Sequence, residues 1–457
     1  MGERAVVELK GQVRGEVILP GEERYEEARK VYNAMIDKRP AAIVRCTGVA
    51  DVIAAVKAAR ADGMSIAVRG GGHSVPGFGT ADDALVVDLG RMKGIRVDPA
   101  AKTVRAEGGC TWGDFNHATH AFGLATTGGV VSTTGIAGLT LGGGMGYLSR
   151  RAGLSIDNLQ SADVVLADGT FVTASERENP DLFWALRGGG GNFGVVTNFE
   201  YRLHPVRDIV GGALFFEVED ALEVMRAYDA YLTKAPRELY VLFGWLIAPP
   251  VPFIPENRHG DTLCALVVCW SGPHEDADRA FAPLRKVARV AEYIEQMPYP
   301  TMNTLFDALN PPGLQQYWKA VLAKDLSDGA IEAHMKHGPK VPSALSSMVI
   351  FPINGAVHDV ALGATAFGHR DAKYSVVISG VGRDPKDNEA NIGWVRDYYQ
   401  ALAPHSEAGA YINFVPGDEG DRVQANYGPN FERLRELKAK FDPGNVFHHN
   451  QNITPAG

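Results

Sequence analysis

Glycine is crowded into a few runs before residue 200: Gly70–Gly72, Gly108–Gly109, Gly128–Gly129, Gly142–Gly146 and Gly188–Gly194. The chain carries 52 glycines in 457 residues, above the usual share of about 7%. No long helix or strand runs through such segments, because glycine forfeits backbone order and offers no side chain to pack. The first 200 residues therefore read as short strands and helices joined by loops that let a ligand approach the backbone. At this length two or three domains are expected, so a ligand could also sit between domains.

Hydrophobic residues make up 45% and charged residues 22%, the balance of a folded protein rather than a disordered one. Lys and Arg total 45 against 54 Asp and Glu, a net charge of −9, and no basic run is present to neutralise a phosphate backbone, so nucleic acid is not an expected partner. The N-terminus has no apolar signal core, and no stretch of about 18 apolar residues follows that could span a bilayer. A cytoplasmic protein without a membrane partner is expected. Cys46, Cys110, Cys264 and Cys269 lack CxxC spacing and read as reduced, buried thiols.

A strand at Ala42–Cys46, a helix with Thr47 as N-cap and Val49, Val52, Ile53 and Val56 on its inner face, and a strand at Ser65–Val68 lead into Arg69-Gly70-Gly71-Gly72-His73-Ser74. Further strands are read at 84–89, 95–98 and 103–107. Thr111 to Asp114 forms a capping box, 163–174 a hairpin about Asp168-Gly169, and Asn179-Pro180 a helix start. Residues 126–147 are too interrupted for a good helix and read as backbone pressed against a flat ligand. Residues 206–407 are poorer in glycine and form a second domain. Beyond them, 408–415 reads as a strand and 429–441 as a helix with Phe431, Leu434 and Leu437 inward.

Residues 189–194 spell GxGxxG. A dinucleotide fold needs a strand before that motif and a helix after it; here the order is reversed, so a nicotinamide dehydrogenase is rejected. The loop at 69–74 is a better anion nest, although an ordinary tight turn fits it as well. His117 with His120, and His334 with His337, fall at helical spacing but lack a third ligand, and no metal is expected.

Arg69-Gly-Gly-Gly-His73-Ser74, Gly108-Gly-Cys-Thr-Trp-Gly113, Gly142-Gly-Gly-Met-Gly146, Leu182-Phe-Trp-Ala-Leu-Arg187 with its following glycines, and Asn426-Tyr-Gly-Pro-Asn430 with Asp442-Pro443 and Phe447 to Ile453 together resemble FAD-linked oxidases of the vanillyl-alcohol-oxidase, PCMH-type fold, in the berberine-bridge-enzyme-like branch. The resemblance implies an α+β protein of two domains. Residues 1–205 would bind FAD, 206–407 would form a substrate domain whose sheet covers the flavin, and 408–457 would return to the FAD domain. It implies a covalent bond from His73 to the flavin 8α-methyl, with Arg69, Gly70, Gly71, Gly72 and Ser74 around the pyrophosphate. Gly135, Gly138, Gly142, Gly143, Gly146, Gly194 and Val196 would line the cofactor, and Asn450 would approach it.

The departures from that pattern carry information too. Val131 stands where many relatives tether flavin by cysteine, so a single attachment is expected. Leu139 replaces a histidine, Phe414 occupies the place of the tyrosine base of plant members, and another polar residue of theirs falls within Val376-Val377-Ile378. Tyr147, Tyr317, Lys319 and Asn413 are the candidate catalytic groups. The implied function is hydride transfer from a small molecule's C–N or C–OH group to FAD, with molecular oxygen or another acceptor reoxidising it. An alcohol or oligosaccharide oxidase and a flavin-binding protein without turnover remain as alternatives.

Overall fold

The computed structural model describes residues 3–417 and 422–457. Three sheets carry the architecture. The apolar runs Ala42–Arg45, Ile66–Arg69 and Leu85–Asp88 are buried on both faces, and they pair in parallel, with Glu16–Ile18 antiparallel at one edge. Helix Val49–Ala61 makes the crossover and buries Val52, Ala55, Val56 and Ala59. Its N-cap is Gly48, not Thr47. The Asp51 carboxylate takes the N–H groups of Arg14, Gly15 and Thr47 as well as the Thr47 hydroxyl, which removes Thr47 from the capping role. Val49 is exposed, so the inner face is rotated from the one expected.

A second, antiparallel sheet orders Ile95–Asp98, Thr103–Glu107, Val195–Arg202, Leu159–Val165 and Phe171–Ser175. The expected capping box at Thr111 and Asp114 opens helix Trp112–His120. The interrupted segment does contain a helix, Ile136–Leu141, but only six residues long.

The third sheet has seven antiparallel strands, in the order Ala291–Pro298, Asp208–Phe216, Thr262–Trp270, Leu239–Ile247, Ser347–Pro352, Tyr374–Gly382, Gln315–Ala323. Strand alternation gives it two different faces. One packs helices Ala221–Leu232, Asp328–His337 and Asn388–Leu402 through Tyr228, Phe243, Ile331 and Val395. The other presents Tyr240, Leu242, Leu322 and Val377 to Met145, Tyr147 and Tyr411 from the glycine-rich and C-terminal segments. This second face is the roof expected over the flavin.

Residues 408–415 form no strand. Phe414 N–H closes a turn on Tyr411 O (2.8 Å), because the polar groups here bond to the glycine-rich segment rather than to a neighbouring strand. Helix Phe431–Phe441 then returns to the first unit, with Leu434, Leu437 and Ile453 sharing a core with Phe183 and Leu186. The four cysteines are free and buried. No helix among the described residues is long and apolar enough to cross a membrane.

Candidate functional site

The loop after strand Ile66–Arg69 carries His73 onto the ring of Tyr32. Arg69 does not follow it. Its guanidinium donates to Asp88 (2.8 Å) and Lys30 O (3.3 Å), which leaves it bracing the loop from below. The Ser74 hydroxyl accepts from Phe78 N–H at 3.4 Å within the next turn.

Two glycine segments meet here backbone to backbone. A Cβ on Gly71 would lie 2.6 Å from Gly135 N and Cα, and one on Gly135 would lie 2.5 Å from Gly71 N. Gly70 is shut in by Gly108 O at 3.0 Å, and Gly108 in turn by Val196 O at 2.6 Å. Gly142 lies beneath the Asn413 amide, Gly143 against Tyr411 and Phe367, Gly146 against Gly128 O, and Gly194 against Val164 and Val165. Most of these glycines are thus required by protein packing. Gly138 is different: nothing lies within 4 Å of its added Cβ, so it faces open space.

The His73 imidazole stacks on Tyr32, with centroids 3.7 Å apart and planes at 18°. Its Nε2 is buried with no hydrogen-bond partner. Burial pulls its pKa down to about 4, so the ring is neutral at physiological pH. Asn450 donates to Gly191 O and Phe447 O, both at 3.1 Å, and its Oδ1 is left buried and unpartnered. His449 Nε2 and Asn452 Oδ1 are in the same condition. Unpaired buried polar atoms are costly, and together with the open space at Gly138 they fit a polar ligand.

The catalytic candidates separate. Tyr147 is 2% exposed, edge-on to Tyr240 (6.1 Å, 84°), and its hydroxyl has no partner. Burial raises its pKa well above the ordinary value. Asn413 donates to Leu139 O (2.9 Å) and to the Tyr411 hydroxyl (2.7 Å), which also accepts from Gly144 N–H (2.8 Å). Asn413 therefore clamps the glycine segment.

Tyr317 and Lys319 point the wrong way for catalysis. On strand Gln315–Ala323 they face helix Asn388–Leu402: Arg396 Nε donates to Tyr317 Oη at 3.3 Å, and Lys319 Nζ lies 5.1 Å from the Tyr399 ring centroid. The period of two puts Gln316 and Trp318 on the roof's inner face instead. Trp318 Nε1 is buried without a partner, and the buried Gln316 amide lies against the Tyr32 hydroxyl. The sequence marks Trp318, within Tyr317-Trp318-Lys319, as an aromatic group that could face a substrate; Gln316 and Tyr32 were missed, although strand alternation alone pairs 316 with 318.

Residues 40–175 match an FAD binding domain, and residues 410–454 match the berberine and berberine-like family. An FAD-linked oxidoreductase of Dictyostelium discoideum is 31% identical, covering 97% of this chain and 95% of its own. The chain belongs to the FAD-linked oxidoreductases. A xylooligosaccharide oxidase of Thermothelomyces thermophilus is 30% identical over 93% of this chain and 89% of its own. The structure of 6-hydroxy-D-nicotine oxidase from Arthrobacter nicotinovorans superimposes with a TM-score of 0.87 at 28% identity, covering 97% of this chain and 98% of that one. The open space at Gly138 and the orphaned polar atoms of this oxidoreductase accord with an FAD site.

Proposed function

We propose that this FAD-linked oxidoreductase holds FAD through a single covalent bond to His73 and oxidises a neutral amine, or an alcohol acidified by its neighbours. The observation that carries the reading is the neutral, stacked His73, whose buried Nε2 has no protein partner where two glycine segments meet. Bound there, the isoalloxazine supplies the hydride acceptor.

The chain's residues supply the rest. Gly71 against Gly135 fixes the loop that bears His73, and Gly138 and Asn450 are its contacts toward the cofactor. Phe351, Phe414, Trp318 and Tyr411 close the seam under the roof with aromatic surface that excludes water. Trp318 offers an unspent donor to orient a polar group of the substrate. Tyr147, with its pKa raised well above the usual value, stays protonated and donates a hydrogen bond rather than taking a proton. Phe414 has no proton-accepting atom. A neutral amine needs no base, because its nitrogen lone pair stabilises the cation left when hydride departs. The relative named for a hydroxynicotine favours this reading; the one named for xylooligosaccharides keeps an alcohol donor as the second.

Acid precipitation followed by peptide mapping tests the attachment. Flavin is expected on a peptide containing His73 and on none containing Cys46, Cys110, Cys264 or Cys269. Burial pushes all four thiols up, Cys110, Cys264 and Cys269 to about 12, so none supplies thiolate at neutral pH. Complete release of flavin into the supernatant would defeat the reading.

Gly138→Ala separates cofactor contact from protein packing. Alanine inside a helix is favoured over glycine by about 1 kcal/mol, and Gly138 has room for it. The flavin-free protein is expected to melt no lower than wild type while binding FAD more weakly. Unchanged FAD affinity would remove Gly138 from the site.

A further inference from the structure

We infer that Tyr32 is the positioning residue of the flavin-bearing histidine: its ring is a fixed platform that holds the His73 imidazole in the plane from which it is joined to the cofactor. The inference rests on the His73 attachment proposed above.

Tyr32 is 5% exposed and is held at several points. Its N–H donates to Gly72 O (3.0 Å), in the residue before His73, and its carbonyl accepts from Gly313 N–H (2.9 Å). Its hydroxyl reaches Asn310 O (3.3 Å) and Oδ1 (3.4 Å). The next residue completes a clip. Asn33 Nδ2 donates to Val75 O (2.8 Å) and Gln316 O (2.9 Å), its Oδ1 accepts from Gln316 N–H (3.1 Å), and Ala34 N–H donates to Leu314 O (2.9 Å). The platform is thereby bonded to the His73 loop on one side and to the first residues of the roof strand on the other.

A ring held this way does what a hydrogen bond to Nε2 could not do. A donor on Nε2 would occupy the lone pair that must form the new bond. A stacked face fixes the imidazole plane while leaving the in-plane lone pair unused, and it keeps water away so that the ring remains neutral. Attachment forms a C–N bond between the imidazole and the 8α-methyl carbon. One C–H hydrogen and the imidazole N–H proton are lost, and the two electrons left in the isoalloxazine pass to dioxygen, giving hydrogen peroxide. The rate of such a step depends on how often the nucleophile sits in its reactive orientation, and a small misplacement can cost about 100-fold.

The test uses the full-length chain from flavin-starved cells, mixed with FAD and sampled over time for acid-stable flavin fluorescence, with prior melting and initial non-covalent FAD binding measured in parallel. Wild type and Tyr32→Phe, which keeps the flat face, are expected to attach flavin at rates within about 3-fold of each other, whereas Tyr32→Leu and Tyr32→Met, which fill the space without a ring, are expected to be slower by about 10-fold or more. Melting and initial FAD binding should stay near wild type in all of them. Attachment at the wild-type rate in either ring-less variant overturns the inference. So does a parallel loss of folding or of non-covalent binding in both, which would make Tyr32 only structural. His73→Ala should show no acid-stable flavin. If wild type shows none either, the attachment at His73 falls and this inference falls with it, a result distinct from a wild-type protein that flavinylates while Tyr32→Leu keeps pace.

Discussion

Lys438→Met is expected to destabilise the protein by about 3–5 kcal/mol, the cost of leaving one half of a buried ion pair behind. Lys438 and Asp442 are both 0% exposed and bonded at 2.6 Å. The ammonium also donates to Asn192 O (2.7 Å) and Phe447 O (2.9 Å), so its three donors are used. Burial pulls its pKa down, and Asp442 opposes that pull. Methionine would leave the Asp442 carboxylate with only the N–H groups of Val446 and Phe447, and it would strand the Asn192 carbonyl, while Phe447 O would keep only the Asn450 amide. The damage would not be confined to the last helix. Asn192 also binds Gly189 O, the Tyr427 hydroxyl and Gln451 O, which ties the glycine turn to the segment that carries Asn450. Denaturant unfolding of the flavin-free protein measures the loss, and a change below about 1 kcal/mol would contradict it. Lys438→Met with Asp442→Leu should be less damaging than the single change, because no uncompensated charge remains.

A neutral amine is expected to be oxidised with a kcat/KM about 10²–10⁴-fold above that of an oligosaccharide, the range a positioned general base ordinarily contributes. Taking hydride from a plain hydroxyl requires its O–H proton to leave as well. Tyr147 is held in its protonated form, Phe414 cannot accept a proton, and Lys319, the group that could have restored alcohol chemistry, lies on the helix side of the roof over Tyr399. Benzylic alcohols and acidified alcohols should fall between the two, since their proton leaves more readily. Side-by-side rates on hydroxynicotine-like amines, benzylic alcohols and oligosaccharides give the ordering, and faster oxidation of the oligosaccharide would overturn it.

The cofactor half of the molecule was legible in the sequence because its signals are local. The capping box at Thr111 and Asp114 and the apolar strands each report on their own few residues, and each forms as read, whereas most of the glycines read as ligand-facing are closed by protein atoms. Side-chain direction was less legible, because it depends on partners far along the chain. Tyr317 and Lys319 attract notice as an aromatic and a cation, but the helix at 388–402 draws them to the outer face. Trp318, named beside them, and Gln316, which drew no notice, are the ones on the opposite face of the strand. The segment 408–415 is short and largely apolar, as a strand would be, yet Tyr411 and Asn413 bond to Gly144 and Leu139, more than 260 positions earlier, and the chain turns instead. Thr47 lost the cap for a similar reason, since Asp51 gathers backbone from Arg14 and Gly15. Tyr32 carried no signal at all. Only the folded chain brings residue 32 onto residue 73.

The most direct test of the account is anaerobic mixing of the purified holoenzyme with a panel of amines, benzylic and acidified alcohols and oligosaccharides, following the visible absorbance of the flavin before and after oxygen is admitted. Bleaching by at least one amine or acidified alcohol, ahead of any oligosaccharide, is expected, with recovery of the absorbance once oxygen or an added electron acceptor is supplied. A flavin that no member of the panel bleaches would contradict it.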